Sequence, residues 1–158
     1  MARSVAAKFE MFYSVDFETV IRGHHIYKSV WKPCDIEMLN CVKDKRGEAM
    51  EYDKNAIGVY KTPSESEQKM LVGHVPIELS SLMNNFLKAN DSNKLVAKVS
   101  GKRKREVGLV VPAKFKALTK EHRLAKILDE QLQTRKEKYT HFEIVHVEKS
   151  FKKCPVMY

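Results

Sequence analysis

Between residues 17 and 31, Phe17, Val20, Ile21, Ile26, Tyr27, Val30 and Trp31 are β-branched or aromatic, and Gly23 interrupts them. That pattern predicts strand, bend, strand. Beyond Pro33, Ile36, Met38, Asn40 and Val42 alternate with Glu37, Leu39 and Cys41, which predicts a strand at least partly covered on both faces. A polar stretch from Lys43 to Asn55 follows, then a short strand at Ala56, Ile57, Val59 and Tyr60. The loop Thr62 to Lys69 separates it from another apolar run, Met70 to Gly73.

Pro76 suits the first turn of a helix, and Leu79, Leu82, Met83, Phe86 and Leu87 recur at i, i+3, i+4, i+7 and i+8 as one apolar stripe. Asn90 and Asp91 suit its end. Leu95, Ala97 and Val99 alternate with Lys94, Lys98 and Ser100, and Val107, Leu109, Val110 and Val111 follow. These two segments are expected to pair through a turn at Gly101 to Glu106. The character changes beyond Pro112: Leu124, Ile127, Leu128 and Leu132 mark an appended helix of about four turns. Phe142 to Val147 is a candidate strand, and Ser150 to Tyr158 reads as a loosely ordered basic tail. Several short strands around one early helix predict a mainly β protein with α+β character, built as a small, partly open barrel or sheet. The expected division is an N-terminal extension over 1–16, one domain over 17–118, and a helix, possible strand and basic tail over 119–158.

The charge is divided unevenly. Residues 1–93 hold 12 Lys or Arg against 13 Asp or Glu, whereas residues 94–158 hold 17 against 7, so the whole excess of +9 arises in the last two-fifths of the chain. Such an asymmetry points to a polyanionic partner. No apolar run approaches the roughly 18 residues of a membrane span, and the expectation is a soluble, intracellular protein. Cys34, Cys41 and Cys154 form no C-x-x-C pair, so neither a disulfide framework nor a common zinc site is expected. No metal or other cofactor is expected. His24 and His25 read as a hydrogen-bonded or surface pair.

Two segments carry more specific information: Tyr52-Asp53-Lys54-Asn55-Ala56-Ile57-Gly58-Val59, and Val72-Gly73-His74-Val75-Pro76 leading into a helix. With Gly23 and Tyr27 upstream, the chain from about Val20 to Phe115 resembles the HIRAN domain family. The resemblance implies a six-stranded, OB-like barrel that captures the 3′ end of single-stranded DNA. It also implies an accessory role beside DNA helicase or nuclease machinery and DNA repair, and a nuclear location if the source is eukaryotic. The chain contains no G-x-x-x-x-G-K-[ST] loop, so ATPase activity does not carry over and a non-catalytic binder is expected.

The residues implied in binding are His25, Tyr27, Tyr52, Asp53 and Lys54, with the basic run Lys102, Arg103, Lys104 and Arg105 beside them. A carboxylate beside a phosphate backbone is useful when it accepts from a terminal 3′-hydroxyl, and Asp53 suits that role. It equally suits an Asx turn ahead of Asn55. Tyr52 offers a face for base stacking, and Lys54 a cation for a phosphate. The basic run suits either a phosphate-gripping hairpin or a nuclear-import signal. The chain departs from the family pattern at His25, which stands at the basic position, at Ile26 and Leu109, which stand at aromatic positions, and at Met50-Glu51, which replaces an Asn-Pro. Single-stranded DNA or its 3′ end is the expected partner, with RNA a second possibility and no membrane. Two other classes are compatible with the sequence. One is a protein-interaction adaptor whose pocket has degenerated and whose charged helix makes the contacts. The other is a metal-dependent phosphodiesterase using Asp35, Glu37, Asp53 and the histidine pair, for which no motif is present.

Overall fold

The computed structural model describes residues 9–22, 37–61, 70–99, 104–106, 108–138 and 153–157. Its elements are β1 (Phe9–Ile21), β2 (Glu37–Lys43), α1 (Gly47–Tyr52), β3 (Ile57–Lys61), β4 (Met70–His74), α2 (Ile77–Ala89), β5 (Lys94–Val99), β6 (Lys104–Glu106), β7 (Gly108–Thr119), α3 (His122–Lys138) and β8 (Lys153–Met157). The fold is mainly β with α+β character, as the alternation of the chain predicts. One antiparallel sheet runs in the order β4-β3-β2-β5-β7-β1-β8, with β6 paired to β7. The sheet curls on itself. An isolated bridge between Arg22, just past β1, and His74, at the end of β4, joins β4 to the strand three places beyond β2. The barrel is therefore partly open, held together at this point by two backbone hydrogen bonds, Arg22 N–H to His74 O at 2.9 Å and His74 N–H to Arg22 O at 2.8 Å.

Alternation places Phe17 and Ile21 of β1, Leu39 and Cys41 of β2, Leu95, Ala97 and Val99 of β5, and Val111, Ala113, Phe115 and Ala117 of β7 inside. Phe17 and Phe115 face each other across the β1–β7 ladder, and their rings stack at 5.2 Å between centroids. The predicted stripe of α2 fills the barrel with Leu79, Leu82, Met83 and Phe86. The C-terminal helix is present, and Ala125, Leu128 and Leu132 carry its face into the same core, while Ile127 is exposed. Thr119 Oγ1 accepts the Glu121 N–H at 3.2 Å at its start, and the Glu121 carboxylate accepts from Asn90, which ends α2, at 2.9 Å.

Several local expectations differ from the structure. β1 is one strand beginning at Phe9, so the N-terminal extension supplies its first half and Phe12 and Val15 are buried. The second strand expected near Tyr27 to Trp31 and the candidate strand at Phe142 to Val147 lie outside the described residues. Lys104 to Glu106 is strand rather than turn, paired with Gly108 to Val110, and β5 pairs instead with Ala113 to Leu118. That register matches the buried series of β5 with the buried series of β7, and a shift by one residue would turn one set outward. The strand continues through Pro112, which pairs with Val20 of β1. Residues 153–157 of the expected tail pair with Phe9 to Tyr13, satisfying the outer edge of β1. Met38, on the outward face of β2, is 60 % exposed, so that face is less covered than the alternation suggests. The polar stretch after β2 contains α1, a six-residue helix without a buried residue and hence without an apolar stripe to reveal it.

Candidate nucleic-acid interface

The closing bridge is built on Gly73. A Cβ there would lie 2.5 Å from Ile21 Cγ2 and 2.7 Å from the Arg22 carbonyl oxygen, so only glycine permits β4 to approach β1 this closely. On either side of the bridge the side chains are tied down, by an ion pair at Arg22 and a hydrogen bond at His74. Arg22 donates to both carboxylate oxygens of Glu78, at 2.7 and 3.2 Å, tying the end of β1 to the first turn of α2. His74 Nε2 lies 2.7 Å from Asp44 Oδ2, and because an ionised carboxylate only accepts, that nitrogen carries the hydrogen.

Asp44 has a fully buried side chain, yet it follows β2 in a polar segment. It accepts from the Arg46 backbone N–H at 3.1 Å and from the Arg46 guanidinium at 3.1 Å, and its own N–H donates to Ala56 O at 2.9 Å. Burial by itself raises its pKa, but the hydrogen bonds from Arg46 and His74 and the Arg46 charge outweigh that and hold the carboxyl below the usual range. Asp44, at the end of β2, thus reaches the start of α1 and the end of β4 through its carboxylate and the turn before β3 through its backbone N–H.

That turn carries the Tyr-Asp pair. α1 ends at Tyr52, whose side chain is 84 % exposed. Asp53 follows as its C-cap, its N–H donating to Ala49 O at 2.8 Å. Asp53 Oδ1 accepts the Asn55 N–H at 2.9 Å in an Asx turn, while among the described residues Oδ2 accepts no hydrogen bond. The two roles open to Asp53 are therefore compatible, since one oxygen shapes the turn and the other is available. Lys54 is exposed, and its carbonyl accepts from Lys43 Nζ. Asn55 Oδ1 accepts from the buried Asn84 of α2 at 3.0 Å, fixing the turn to the helix.

The basic hairpin springs from the other side of the bridge. Ile21, the residue before Arg22, pairs with Val111, and β6 and β7 continue outward from there, with Lys104 opposite Val110 and Arg105 opposite Leu109. From Val111 to Ile21, Arg22, His74, Asp44, Ala56 and Asp53 each step is a strand pair, a hydrogen bond or a chain neighbour. The hairpin base and the Tyr52–Asp53 turn are thus linked through the Arg22–His74 bridge. His25, Tyr27, Lys102 and Arg103 lie outside the described residues, although His25 stands three places after Arg22 in the chain. Sequence reasoning misses Arg22, Asp44, Arg46 and Glu78. His74 stands inside the Val72 to Pro76 motif, but its partner is a separate acidic residue 30 positions away that no spacing rule links to it.

No family model, no curated protein and no solved structure matches this chain. Among the described residues, no helix is long and apolar enough to cross a membrane.

Proposed function

We propose that the protein is a non-catalytic nucleic-acid-binding module of the HIRAN kind, which takes single-stranded DNA by its 3′ end at the Tyr52–Asp53 turn and holds the adjoining phosphates with its basic hairpin. The observation that carries this reading is the geometry of that turn, which Asp44 and the Arg22–His74 bridge connect through the fold to the base of the hairpin. An exposed tyrosine beside a carboxylate with one unengaged oxygen supplies a stacking face and an acceptor for a terminal hydroxyl. An internal phosphate at the same place would meet a negative charge, so the turn favours ends.

The test is a titration of one oligonucleotide carrying either a 3′-hydroxyl or a 3′-phosphate. The wild type is expected to prefer the hydroxyl. Asp53→Asn keeps the acceptor oxygen of the Asx turn and removes the charge, so its melting temperature should stay near that of the wild type. Asp53→Ala should lose about 1.5 to 3 kcal/mol on the hydroxyl end, the range for hydrogen bonds to charged groups, and little on the phosphate end. Equal wild-type binding to both ends would remove end recognition, and no binding at low salt would leave the adaptor reading.

A second expectation concerns the hairpin. Replacing Lys102, Arg103, Lys104 and Arg105 by Ala should weaken binding to every sequence and lower the slope of log K against log salt by roughly 0.7 for each phosphate that the run had neutralised. An unchanged slope would show that the run does not touch the strand. Loss of nuclear accumulation with binding intact would identify it as an import signal instead.

A further inference from the structure

The outward face of the sheet carries a charge arrangement that the fold does not need. Lys98 of β5 stands directly opposite Lys114 of β7, and Lys116 stands one outward position along, opposite Val96. Like charges directly opposed across a ladder destabilise it. Lys114 has a side chain 74 % exposed and lies 3.4 Å from Glu18, and Lys116 lies 3.7 Å from Asp16, so β1 forms an acidic border on one side. Lys98 is exposed and has no carboxylate within ion-pair distance among the described residues. From Lys94 to Lys120 the chain has nine Lys or Arg, namely Lys94, Lys98, Lys102, Arg103, Lys104, Arg105, Lys114, Lys116 and Lys120, against the single acid Glu106. The two lysine-bearing strands are the ones that lead into the basic hairpin.

On the side away from β1 the face becomes apolar and aromatic. Met38 lies opposite Lys98, and Asn40 lies between Val96 and Tyr60 in one row across β5, β2 and β3. The Tyr60 ring lies across Gly58, where a Cβ would come within 2.6 Å of Tyr60 Cε2, so the glycine lets the ring lie down on the sheet. Tyr60 remains partly exposed.

We propose that this outer face of β3, β2, β5 and β7 is a track for the internal nucleotides of a single nucleic-acid strand, with phosphates over Lys98, Lys114 and Lys116 and a base on Tyr60. The occupant is set by charge complementarity. Outward lysines two residues apart on one strand are roughly 6.8 Å apart, a step that an extended sugar-phosphate backbone can follow. The acidic border on β1 confines the strand to the lysine-bearing side. Val96 and Met38 supply apolar ground between charge and ring, as in single-strand binders that combine a basic groove with a stacking platform. This rests on the nucleic-acid reading above and extends it from the end of the strand to its body.

The experiment compares the wild type with Lys98→Gln/Lys114→Gln and with Tyr60→Leu, using a short and a long oligothymidylate with 3′-hydroxyl ends. The wild type should bind the long probe more tightly. The lysine double variant should lose most of that length advantage and lower the salt slope by roughly 1.4 on the long probe, at about 0.7 per phosphate, while keeping its preference for a hydroxyl end. The single variant Lys98→Gln, which relieves the Lys98–Lys114 repulsion and leaves the Lys114–Glu18 pair in place, should melt at or above the wild-type temperature; a merely structural Lys98 would give a lower one. Tyr60→Leu should weaken the long probe about tenfold, the stacking contribution of one base. An unchanged slope and length dependence in the double variant would overturn the track and leave the end pocket standing. Failure of the wild type to bind either probe at low salt would overturn both.

Discussion

Replacing Asp44 by Ala is expected to destabilise the protein by about 3 kcal/mol and to lower its melting temperature by about 6 to 12 °C, at roughly 2 to 4 °C per kcal/mol for a chain of this size. The carboxylate is fully buried and is met by His74 Nε2 at 2.7 Å and by Arg46 through both its backbone and its guanidinium. Removing one partner of a buried pair costs about 3 to 5 kcal/mol when the other is stranded. Here Arg46 and His74 keep some exposure and recover water, which places the effect at the lower end. Asp44→Asn keeps the shape and loses the charge, and it separates packing from electrostatics. Because the folded carboxyl is held below its ordinary value, the unfolded chain takes up the proton more readily. The stabilisation is present above the usual carboxylate range and is lost as pH falls through and below it. Denaturant melts over that acidic range should fall more steeply for the wild type than for Asp44→Asn. Parallel pH curves would show that Asp44 contributes no linked proton.

Gly73→Val should cost about 3 kcal/mol, the upper part of the range for overpacking a filled core. The atoms its Cβ would meet are Ile21 Cγ2 and the Arg22 carbonyl oxygen, and the second is backbone already engaged with His74. It cannot move aside without breaking the bridge that draws β4 to β1. Hydrogen exchange should show the His74 and Arg22 amides losing protection before the amides of the β5–β7 ladder. If Gly73→Val melts within about 2 °C of the wild type, less than the shift for about 1 kcal/mol, the bridge does not hold the barrel together. End recognition should weaken along with the bridge, because the bridge links the hairpin base to the Tyr52–Asp53 turn.

Much of the fold is legible because its information is local. Period-two burial in β5, the stripe of α2 behind Pro76 and the Asx turn at Asp53 each depend on residues within one element or turn, where alternation and dihedral preference decide the outcome. The errors have the opposite character. α1 has no apolar face to reveal it, and β8 is a strand only because β1 offers an edge. β6 is a strand because β5 pairs further along the chain than turn placement suggests, leaving Lys104 to Glu106 free to fold back on Gly108 to Val110. Register is chosen by which buried sets meet across the ladder, a long-range fact.

The candidate site divides along the same line. Tyr52, Asp53, Lys54 and the basic run can be named from residue type and neighbours, since exposure, charge and turn chemistry are properties of short segments. That Asp44 ties His74 to the turn before β3, that Gly73 admits Arg22 beside His74, and that Lys98 faces Lys114 across a ladder emerge only when strands from distant parts of the chain are brought edge to edge. Residue type and spacing set which segments prefer strand, helix or turn and where positive charge accumulates. Which of those segments meet depends on the ladder registers, and these arise from packing the whole core at once.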